Sequence, residues 1–358
     1  MPNSDTESLP VTFFQPDLCH SVETMALFIA DDPRRKVRVV TSLAPGAEAT
    51  EHPWCVRRLT NDSRIEVVDW SAPAQRSSLL VFALTRRGRM PAALRPWLDR
   101  AAAAAFRPEP DRYASRADWV RELMRSFPFY LRARIAIFER EPNLLDLRFG
   151  RQRRIRYART VHPQFLSLPA LRAAMFGQVD PAPRRFRIAF MGNRQPPERA
   201  VRLEAMRRAL TSDPRVRIVG QYPSARGGDL EAMWLEYGIA GTVGGLDPVT
   251  YTRALSDSDF CLSPPGWSRW AHRTVEALVR GTIPVIEDAS LYALDLRDGE
   301  NCILVAGQDW AAAVRRCAAM SAGQIAGMRR RVLLLREGRL FPEIAGREFR
   351  AALFQERQ

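Results

Sequence analysis

Residues 258–288 read SDFCLSPPGWSRWAHRTVEALVRGTIPVIED, and their pattern predicts a strand, a loop, a helix and a second strand. The first strand is predicted at 260–263, the helix at 270–280 and the second strand at 282–286. Gly281 follows the helix, as glycine commonly does at a helix C-terminus. The length suits a parallel β–α–β crossover, which needs about 30 residues. The segment therefore predicts a parallel α/β sheet.

Polar side chains and a glycine collect where the first of these strands gives way to the helix. In open parallel sheets a ligand binds beyond the carboxyl ends of the strands, where a loop leads into a helix N-terminus. Such side chains suit the phosphates and ribose hydroxyls of a nucleotide. The residues that we expect at this position are Gly266, Ser268, His272, Arg273 and Glu276.

The same segment resembles the exostosin-like glycosyltransferases, whose signature runs roughly S-x-F-C-L-x-P-x-G, then R-x-x-E-A, then G-x-I-P-V-I-x-x-D. Flanking stretches at 188–192 and 321–331 agree loosely, so the resemblance covers roughly residues 186–335. Ala271 departs from the pattern, because many members carry a serine there. The positions that match in order and spacing are Ser258, Phe260, Cys261, Leu262, Pro264, Gly266, Arg273, Glu276, Ala277, Gly281, Ile283, Pro284, Val285, Ile286 and Asp288.

The resemblance implies an α/β fold of the GT-B type, with two Rossmann-like domains facing across a cleft. It also implies that the C-terminal domain holds a nucleotide-sugar and the N-terminal domain holds the acceptor. The activity expected from it is inverting transfer of a sugar to a glycan or lipid-linked acceptor. UDP-sugars are the usual donors of the family, so UDP is the expected nucleotide, and no cofactor beyond this co-substrate is expected.

The chain of 358 residues is long enough for two domains. The stretch FGQVDPAPRR at 176–185 carries two prolines and no periodicity, which is typical of a linker. We therefore predict an N-terminal acceptor-side domain at 1–178 and a C-terminal nucleotide-sugar domain at 186–340. Residues 341–358 are expected to form a C-terminal helix that packs back on the first domain.

Apolar and β-branched runs predict strands in both halves. In the N-terminal half they lie at 37–41, 66–70 and 79–84, and the alternation at 132–138 favours another. The pattern of the C-terminal half predicts strands at 187–191, 216–219, 260–263 and 282–286, with helices between them.

Three charged residues of the predicted helix, Arg273, Glu276 and Arg280, lie at i, i+3 and i+7 and so share one face. Their spacing alone favours a surface helix with an exposed Glu–Arg pair. The resemblance implies instead that Glu276 accepts hydrogen bonds from ribose and that Arg273 neutralises the departing diphosphate. Arg280, next to the terminal glycine, is expected to be a favourable charge at a helix C-terminus.

Further donor-binding residues are expected after the strand at 187–191. Gly192 and Asn193 follow this strand, and family members carry an arginine shortly afterwards. Arg194, Arg199 and Arg202 compete for that role, and Arg199 is our choice. Gly266 and Ser268 would let a phosphate approach the backbone; the alternative for Gly266 is a plain Pro-Pro-Gly turn.

Inverting transfer needs a general base that deprotonates the acceptor hydroxyl. Asp17, His20, His52 and His162 are the candidates, and His20 is chosen because it follows an apolar, strand-like start. A structural role is the alternative for each histidine. His272, beside Arg273, is expected to contact the donor rather than to act as the base.

The composition narrows the other classes of ligand. The predicted strands do not end in a D-x-D motif and the five cysteines have no C-x-x-C spacing, so neither a catalytic metal nor a zinc site is expected. The net charge is +14, which draws a protein to polyanions such as nucleotides, acidic glycans or anionic lipid. Without a zinc-finger, RRM or basic-zipper pattern, no specific nucleic-acid partner is expected.

The N-terminus MPNSDTESLPVTFF lacks the features of a secretory signal, and no run of about 18 apolar residues occurs. We therefore expect a bacterial-type cytoplasmic enzyme or a truncated form of a longer chain. The positive charge alone motivates the further expectation of peripheral contact with an anionic membrane. Two other functions stay open. One is a GDP-fucose-type transferase of the same fold, and the other is a non-catalytic nucleotide- or carbohydrate-binding protein.

Overall fold

In the computed structural model the chain divides into two compact units. The first is Met1–Tyr157 with Gly346–Gln358, and the second is Ala158–Ala345. In this division residues 158–180 group with the second unit. The described residues are 11–14, 37–41, 64–69, 79–83, 134–141, 144–149, 153–156, and 161–354 except 163, 168, 181–182, 195–196, 223–229, 238–245, 267–270 and 293.

The N-terminal unit contains a seven-stranded sheet in the order β3-β2-β1-β4-β5-β6-β7. Strands β1 to β5 are parallel, in the 3-2-1-4-5 order of a Rossmann-like sheet, and β6 and β7 extend it antiparallel. The strands predicted from the sequence are confirmed to within three residues at each end. The bounds are β1 Val11–Phe14, β2 Val37–Thr41, β3 Ile65–Asp69, β4 Leu79–Ala83, β5 Arg134–Glu141, β6 Leu144–Phe149 and β7 Arg153–Arg156.

The C-terminal unit contains a six-stranded sheet that is parallel throughout, in the order β13-β12-β11-β8-β10-β9. The α/β class with two Rossmann-like units is therefore confirmed. The bounds of its strands are β8 Phe186–Asn193, β9 Val216–Val219, β10 Leu230–Tyr237, β11 Ser258–Leu262, β12 Ile283–Ile286 and β13 Ile303–Leu304.

Two helices of the C-terminal unit begin at residues whose side chains cap the first turn. The Asp247 carboxylate accepts hydrogen bonds from the backbone N–H groups of Val249 and Thr250, and Ser321 forms a capping box with Gln324. Among the described residues, no helix is both long and apolar enough to span a membrane. The bounds are α1 Gln164–Ser167, α2 Pro169–Phe176, α3 Pro197–Thr211, α4 Pro248–Ser256, α5 His272–Val279, α6 Trp310–Ala319, α7 Ala322–Leu335 and α8 Pro342–Phe354.

Strand β10 was not predicted from the sequence. Its residues, LEAMWLEY, are mostly good helix formers, and their local preference does not favour a strand. In the structure β10 pairs with β8 on one side and with β9 on the other, and its residues 231–235 are buried. Pairing with two strands and burial therefore outweigh local propensity.

The order of the strands creates a switch point beside β8. From β8 the chain first builds β9 and β10 on one side of that strand, and then β11, β12 and β13 on the other. The carboxyl ends of β8 and β11 consequently lie side by side. In open α/β sheets this crevice is where ligands bind.

Arg184 links the strands at the opposite end of this sheet. Arg184 donates hydrogen bonds to the carbonyl of Ser258 at 2.6 Å, to the hydroxyl of Thr282 at 2.6 Å and to the carbonyl of Arg280 at 2.8 Å. These acceptors lie at the amino ends of β11 and β12 and at the end of α5. Burial, followed by the positive charge of Arg329, lowers the pKa of Arg184 to about 9.

Three described cysteines belong to the hydrophobic core. Cys261, Cys302 and Cys317 are free and fully buried, so each acts as a small apolar residue of the core. Burial raises the pKa of the Cys261 thiol to about 11 and the pKa values of Cys302 and Cys317 to about 12.

We expect these three thiols to resist iodoacetamide at pH 8 in the native protein, because the reactive thiolate is scarce and shielded. Peptide mass spectrometry checks this, with the protein in concentrated urea as the control in which all three are alkylated. Native labelling of Cys261 as fast as in urea would contradict the buried position of β11.

Candidate active site

Arg273, the second residue of α5, lies against the carboxyl end of β8. Its guanidinium carbon stands 5.1 Å from the centre of the Phe190 ring, a distance typical of cation–π contacts. A Cβ atom at Gly192 would overlap the Arg273 guanidinium and would lie 2.9 Å from its Cζ. Glycine at position 192 therefore leaves room for this arginine, which is only 8% exposed.

Arg199 of α3 ties the ends of β8 and β11 together. Its Nη1 donates to the Asn193 Oδ1 at 2.9 Å, its Nη2 to the Pro264 carbonyl at 2.9 Å and its Nε to the Pro265 carbonyl at 3.0 Å. A Cβ at Gly266 would lie 2.9 Å from the Arg199 Nη2. Gly266 thus makes room for an arginine in the structure; the approach of a phosphate there stays a prediction.

The two competing arginines have other contacts. Arg194 is half exposed and pairs with Glu236 at 3.2 Å. The Arg202 Nε donates to Glu287 at 2.7 Å, and Glu287 also accepts from the indole of Trp310. Of the three, only Arg199 is buried and joins both strand ends.

Glu276, one turn along α5 from Arg273, is 4% exposed and is held by two donors. Its Oε2 accepts a hydrogen bond from the Tyr251 hydroxyl at 2.6 Å, and its Oε1 accepts one from the backbone N–H of His162 at 3.1 Å. Tyr251 comes from α4 and His162 from the segment before α1. Three separate parts of the C-terminal unit therefore meet at this carboxylate.

Two histidines stand beside Glu276. The rings of His162 and His272 are 5.3 Å apart at their centroids, in an edge-to-face arrangement. His162 is thus the base candidate that the structure places among the predicted site residues. The other candidates, Asp17, His20 and His52, and the predicted Ser268, lie outside the described residues.

The alternative of an exposed Glu–Arg pair on a surface helix is wrong, because Arg273, Glu276 and Arg280 are each at most 8% exposed. Arg280 serves a helix C-terminus, although the helix is α2 rather than α5. Its Nη1 donates to the carbonyls of Ala174 and Met175 at 3.0 and 3.1 Å. It is therefore a structural residue.

The start of α5 accommodates the unusual Ala271 without a side-chain cap. The backbone N–H of Ala271 donates to the Tyr292 hydroxyl at 3.1 Å, and that hydroxyl also lies 2.8 Å from the Thr274 Oγ1. Tyr292 consequently anchors the helix start where a serine is absent.

The described site thus gathers Gly192, Asn193, Arg199, Gly266, His272, Arg273 and Glu276 at one edge of the sheet. Phe190 and Tyr251, which present aromatic surface and a hydroxyl to these residues, were not predicted from the sequence. Tyr251 is one of the buried residues of α4, and an aromatic residue at such a position gives no sign in the sequence of a polar contact. Within the described ranges, no group of three His, Cys, Asp or Glu side chains is suited to a metal ion.

The part of the chain that contains this site matches a known protein family. Residues 157–300 match the Exostosin GT47 domain. The resemblance stated from the sequence is therefore confirmed, with a match that begins before 186 and ends before 335. The match includes β8, β11, α5 and the segment that carries His162.

Plant proteins are among the curated relatives. A probable glucuronosyltransferase of Oryza sativa subsp. japonica is 43% identical over 65 residues, which is 17% of this chain and 15% of that protein. The probable beta-1,4-xylosyltransferase IRX10 of Arabidopsis thaliana is 51% identical over 39 residues, 11% of this chain and 10% of that protein. This chain therefore aligns with only a small part of the length of these relatives.

Solved structures match over nearly the whole chain. A glycosyltransferase from Rickettsia africae aligns with a TM-score of 0.50 and 6% identity, over 97% of this chain and 98% of that one. Anabaena HepE in complex with UDP and glucose aligns with a TM-score of 0.45 and 12% identity, over 96% and 99%. The first likeness shows the fold alone.

Proposed function

We propose that this protein is a glycosyltransferase that moves a sugar from a nucleotide-sugar, a UDP-sugar, to a glycan or lipid-linked acceptor. One observation carries the proposal. Arg273 and Glu276 are buried together at the switch point of a parallel sheet, inside residues that match the Exostosin GT47 domain. A cation and a carboxylate at such a position suit the diphosphate and the ribose of a nucleotide.

The proposed reaction builds negative charge on the departing diphosphate. We infer that Arg273 stabilises that charge, because its buried guanidinium lies over Phe190 and beside Gly192 at the carboxyl end of β8. Glu276 accepts hydrogen bonds from the ribose hydroxyls. Asn193 and Gly266 border the diphosphate, and Arg199 holds their two loops together.

We propose further that transfer inverts the anomeric centre and needs no metal ion. His20 is the proposed base, with His162 and its neighbour His272 as the histidines that the structure describes at the donor side. Full turnover in excess EDTA is the expected result. Activity that EDTA abolishes and Mn²⁺ or Mg²⁺ restores would overturn the metal-independent mechanism.

Nucleotide binding tests the proposal directly. Thermal unfolding is measured with UDP, GDP, CMP and ADP for the wild type, Glu276→Gln and the exposed control Glu337→Gln. A nucleotide at 100 times its dissociation constant should stabilise the wild type and the control by about 2.7 kcal/mol. Stabilisation by UDP that is reduced in Glu276→Gln is the expected outcome.

Other results would redirect the proposal. Stabilisation by GDP alone would favour the GDP-fucose-type transferase. Binding of UDP without turnover on any acceptor would favour the non-catalytic binding protein. If no nucleotide stabilises the wild type, the proposed function is wrong. Glucuronosyl and xylosyl donors are the first to test for turnover, since the names of the plant relatives carry these groups.

We also propose that the protein works at the cytoplasmic face of an anionic membrane. The motivation is the net charge of +14, which favours association with acidic headgroups. Co-sedimentation with phosphatidylserine vesicles should exceed that with phosphatidylcholine vesicles and should fall with salt. Equal sedimentation with both would remove the membrane contact from the proposal.

A further inference from the structure

The bond between Tyr251 and Glu276 joins two buried polar groups at the centre of the site. Tyr251 is 7% exposed and Glu276 is 4% exposed, and the hydroxyl donates to the Oε2 at 2.6 Å. A bond of this length to a carboxylate is charge-assisted and stronger than a bond between neutral groups. The Tyr251 ring is stacked on Phe165, with centroids 6.2 Å apart and planes 19° from parallel.

The orientation of the Glu276 carboxylate is fixed at both of its oxygens. Tyr251 holds the Oε2, and the backbone N–H of His162 holds the Oε1 at 3.1 Å. A carboxylate offers about four lone-pair sites, two on each oxygen. These two bonds therefore leave each oxygen able to accept one more hydrogen bond, which matches a pair of vicinal hydroxyls.

Tyr251 remains a donor throughout the working pH range. Burial, followed by the negative charge of Glu276, raises the pKa of the Tyr251 hydroxyl well above its usual value. The phenol consequently keeps its proton and continues to hold the carboxylate. The single hydroxyl hydrogen of Tyr251 is donated to Glu276, so Tyr251 acts on a ligand through Glu276.

We propose that Tyr251 is a positioning residue that orients the Glu276 carboxylate to accept hydrogen bonds from both ribose hydroxyls, so that the protein selects ribonucleotides over 2′-deoxyribonucleotides. This inference rests on the proposed function. A carboxylate held by only one donor can rotate and meet two hydroxyls less well. Loss of the Tyr251 hydroxyl should therefore weaken recognition of the sugar rather than recognition of the phosphates.

The test compares UDP with 2′-deoxy-UDP by isothermal titration calorimetry. The wild type should bind UDP on the order of tenfold more tightly, the size expected for one buried hydrogen bond to a charged group. Tyr251→Phe keeps the ring and its stack on Phe165. Tyr251→Phe should reduce the preference for UDP to about twofold or less. The change should come mainly from weaker binding of UDP, because 2′-deoxy-UDP lacks the 2′-hydroxyl that would donate to Glu276.

Tyr222→Phe is the matched control. The Tyr222 hydroxyl also donates to a carboxylate, Asp257 Oδ2 at 2.8 Å, at the other end of β11. A merely structural hydroxyl would lower thermal stability without changing the ratio of the two nucleotides. We expect that behaviour of Tyr222→Phe, and Glu276→Gln should lose the preference as Tyr251→Phe does.

The outcomes separate this inference from the proposed function. If the wild type binds UDP and 2′-deoxy-UDP equally, or if Tyr251→Phe keeps the wild-type ratio, the positioning role is wrong and the nucleotide site stands. If the wild type binds neither nucleotide, the proposed function itself is wrong. Should Tyr251→Phe fail to fold, equal binding of the two nucleotides by the wild type would still overturn the inference.

Discussion

Replacement of Arg273 by alanine is expected to lower turnover of a UDP-sugar by roughly a hundredfold to a thousandfold. This is the usual cost of removing one preorganised group that stabilises developing negative charge. The Arg273 guanidinium is buried over Phe190 and beside Gly192, at the carboxyl end of β8. The measurement is steady-state release of UDP from the donor that the nucleotide screen identifies.

Binding should change in a way that identifies the diphosphate as the partner of Arg273. Arg273→Ala should weaken the affinity for UDP by roughly tenfold to a hundredfold, the loss expected for one charge-assisted hydrogen bond. The affinity for uridine, which has no phosphate, should stay the same. Gly192→Ala offers a matched variant, since its Cβ would displace the guanidinium while the charge remains. It should show a smaller loss of the same kind.

Arg207→Ala is the control for net charge, because Arg207 is exposed on α3 and about 12 Å along that helix from Arg199. It should leave both UDP affinity and turnover unchanged. Wild-type affinity for UDP in Arg273→Ala would contradict the role of this arginine at the diphosphate. A parallel loss in Arg207→Ala would show that long-range charge, rather than the site, attracts the nucleotide.

Replacement of Arg184 by methionine is expected to lower the free energy of unfolding by about 3 kcal/mol. Methionine fills similar space but leaves the carbonyls of Ser258 and Arg280 and the hydroxyl of Thr282 without their donor. Buried acceptors without a partner cost about 1–3 kcal/mol each. Part of this sum is offset because the variant no longer buries a charge; the same burial lowers the pKa of Arg184 to about 9 in the wild type.

Urea unfolding followed by tryptophan fluorescence measures this loss. Arg215→Ala is the control, since Arg215 forms an exposed pair with Asp213 at the surface of the same unit and should change stability little. UDP affinity should persist in Arg184→Met under native conditions, because Arg184 lies at the amino ends of the strands. A loss of stability as small as that of Arg215→Ala would mean that water replaces the missing donor.

Local signals in the sequence predicted the elements that build the site. These signals are the apolar run at β11, the glycine after α5 and the β-branched run at β12, and each depends only on residues close together in the chain. Each of the three elements lies within two residues of its predicted bounds. The Asp247-Pro248 start of α4 is a local signal of the same kind, because the Asp247 carboxylate caps the first turn. Strand β10 was not predicted, because it is stabilised by pairing with two neighbouring strands rather than by the preference of its own residues.

The contacts within the site could not be derived in this way. The sequence indicates that Gly192 and Gly266 are unusual positions, but only the fold shows that arginines from α5 and α3 fill the space beside them. Spacing on α5 favoured an exposed pair, whereas Arg273 and Glu276 are buried by elements distant in the chain. His162 and Tyr251 are joined to Glu276 by the same packing.

By itself, therefore, the sequence determined the parallel α/β class, the elements of the β11–α5–β12 unit and the resemblance to the exostosin family, because these depend on residues close together in the chain. The tertiary structure alone decided which polar groups meet. Hydrogen bonds and close contacts depend on distances between elements, and the strand order beside β8 sets those distances. For this reason Arg280 is structural, Arg199 joins two loops, and Tyr251 faces Glu276.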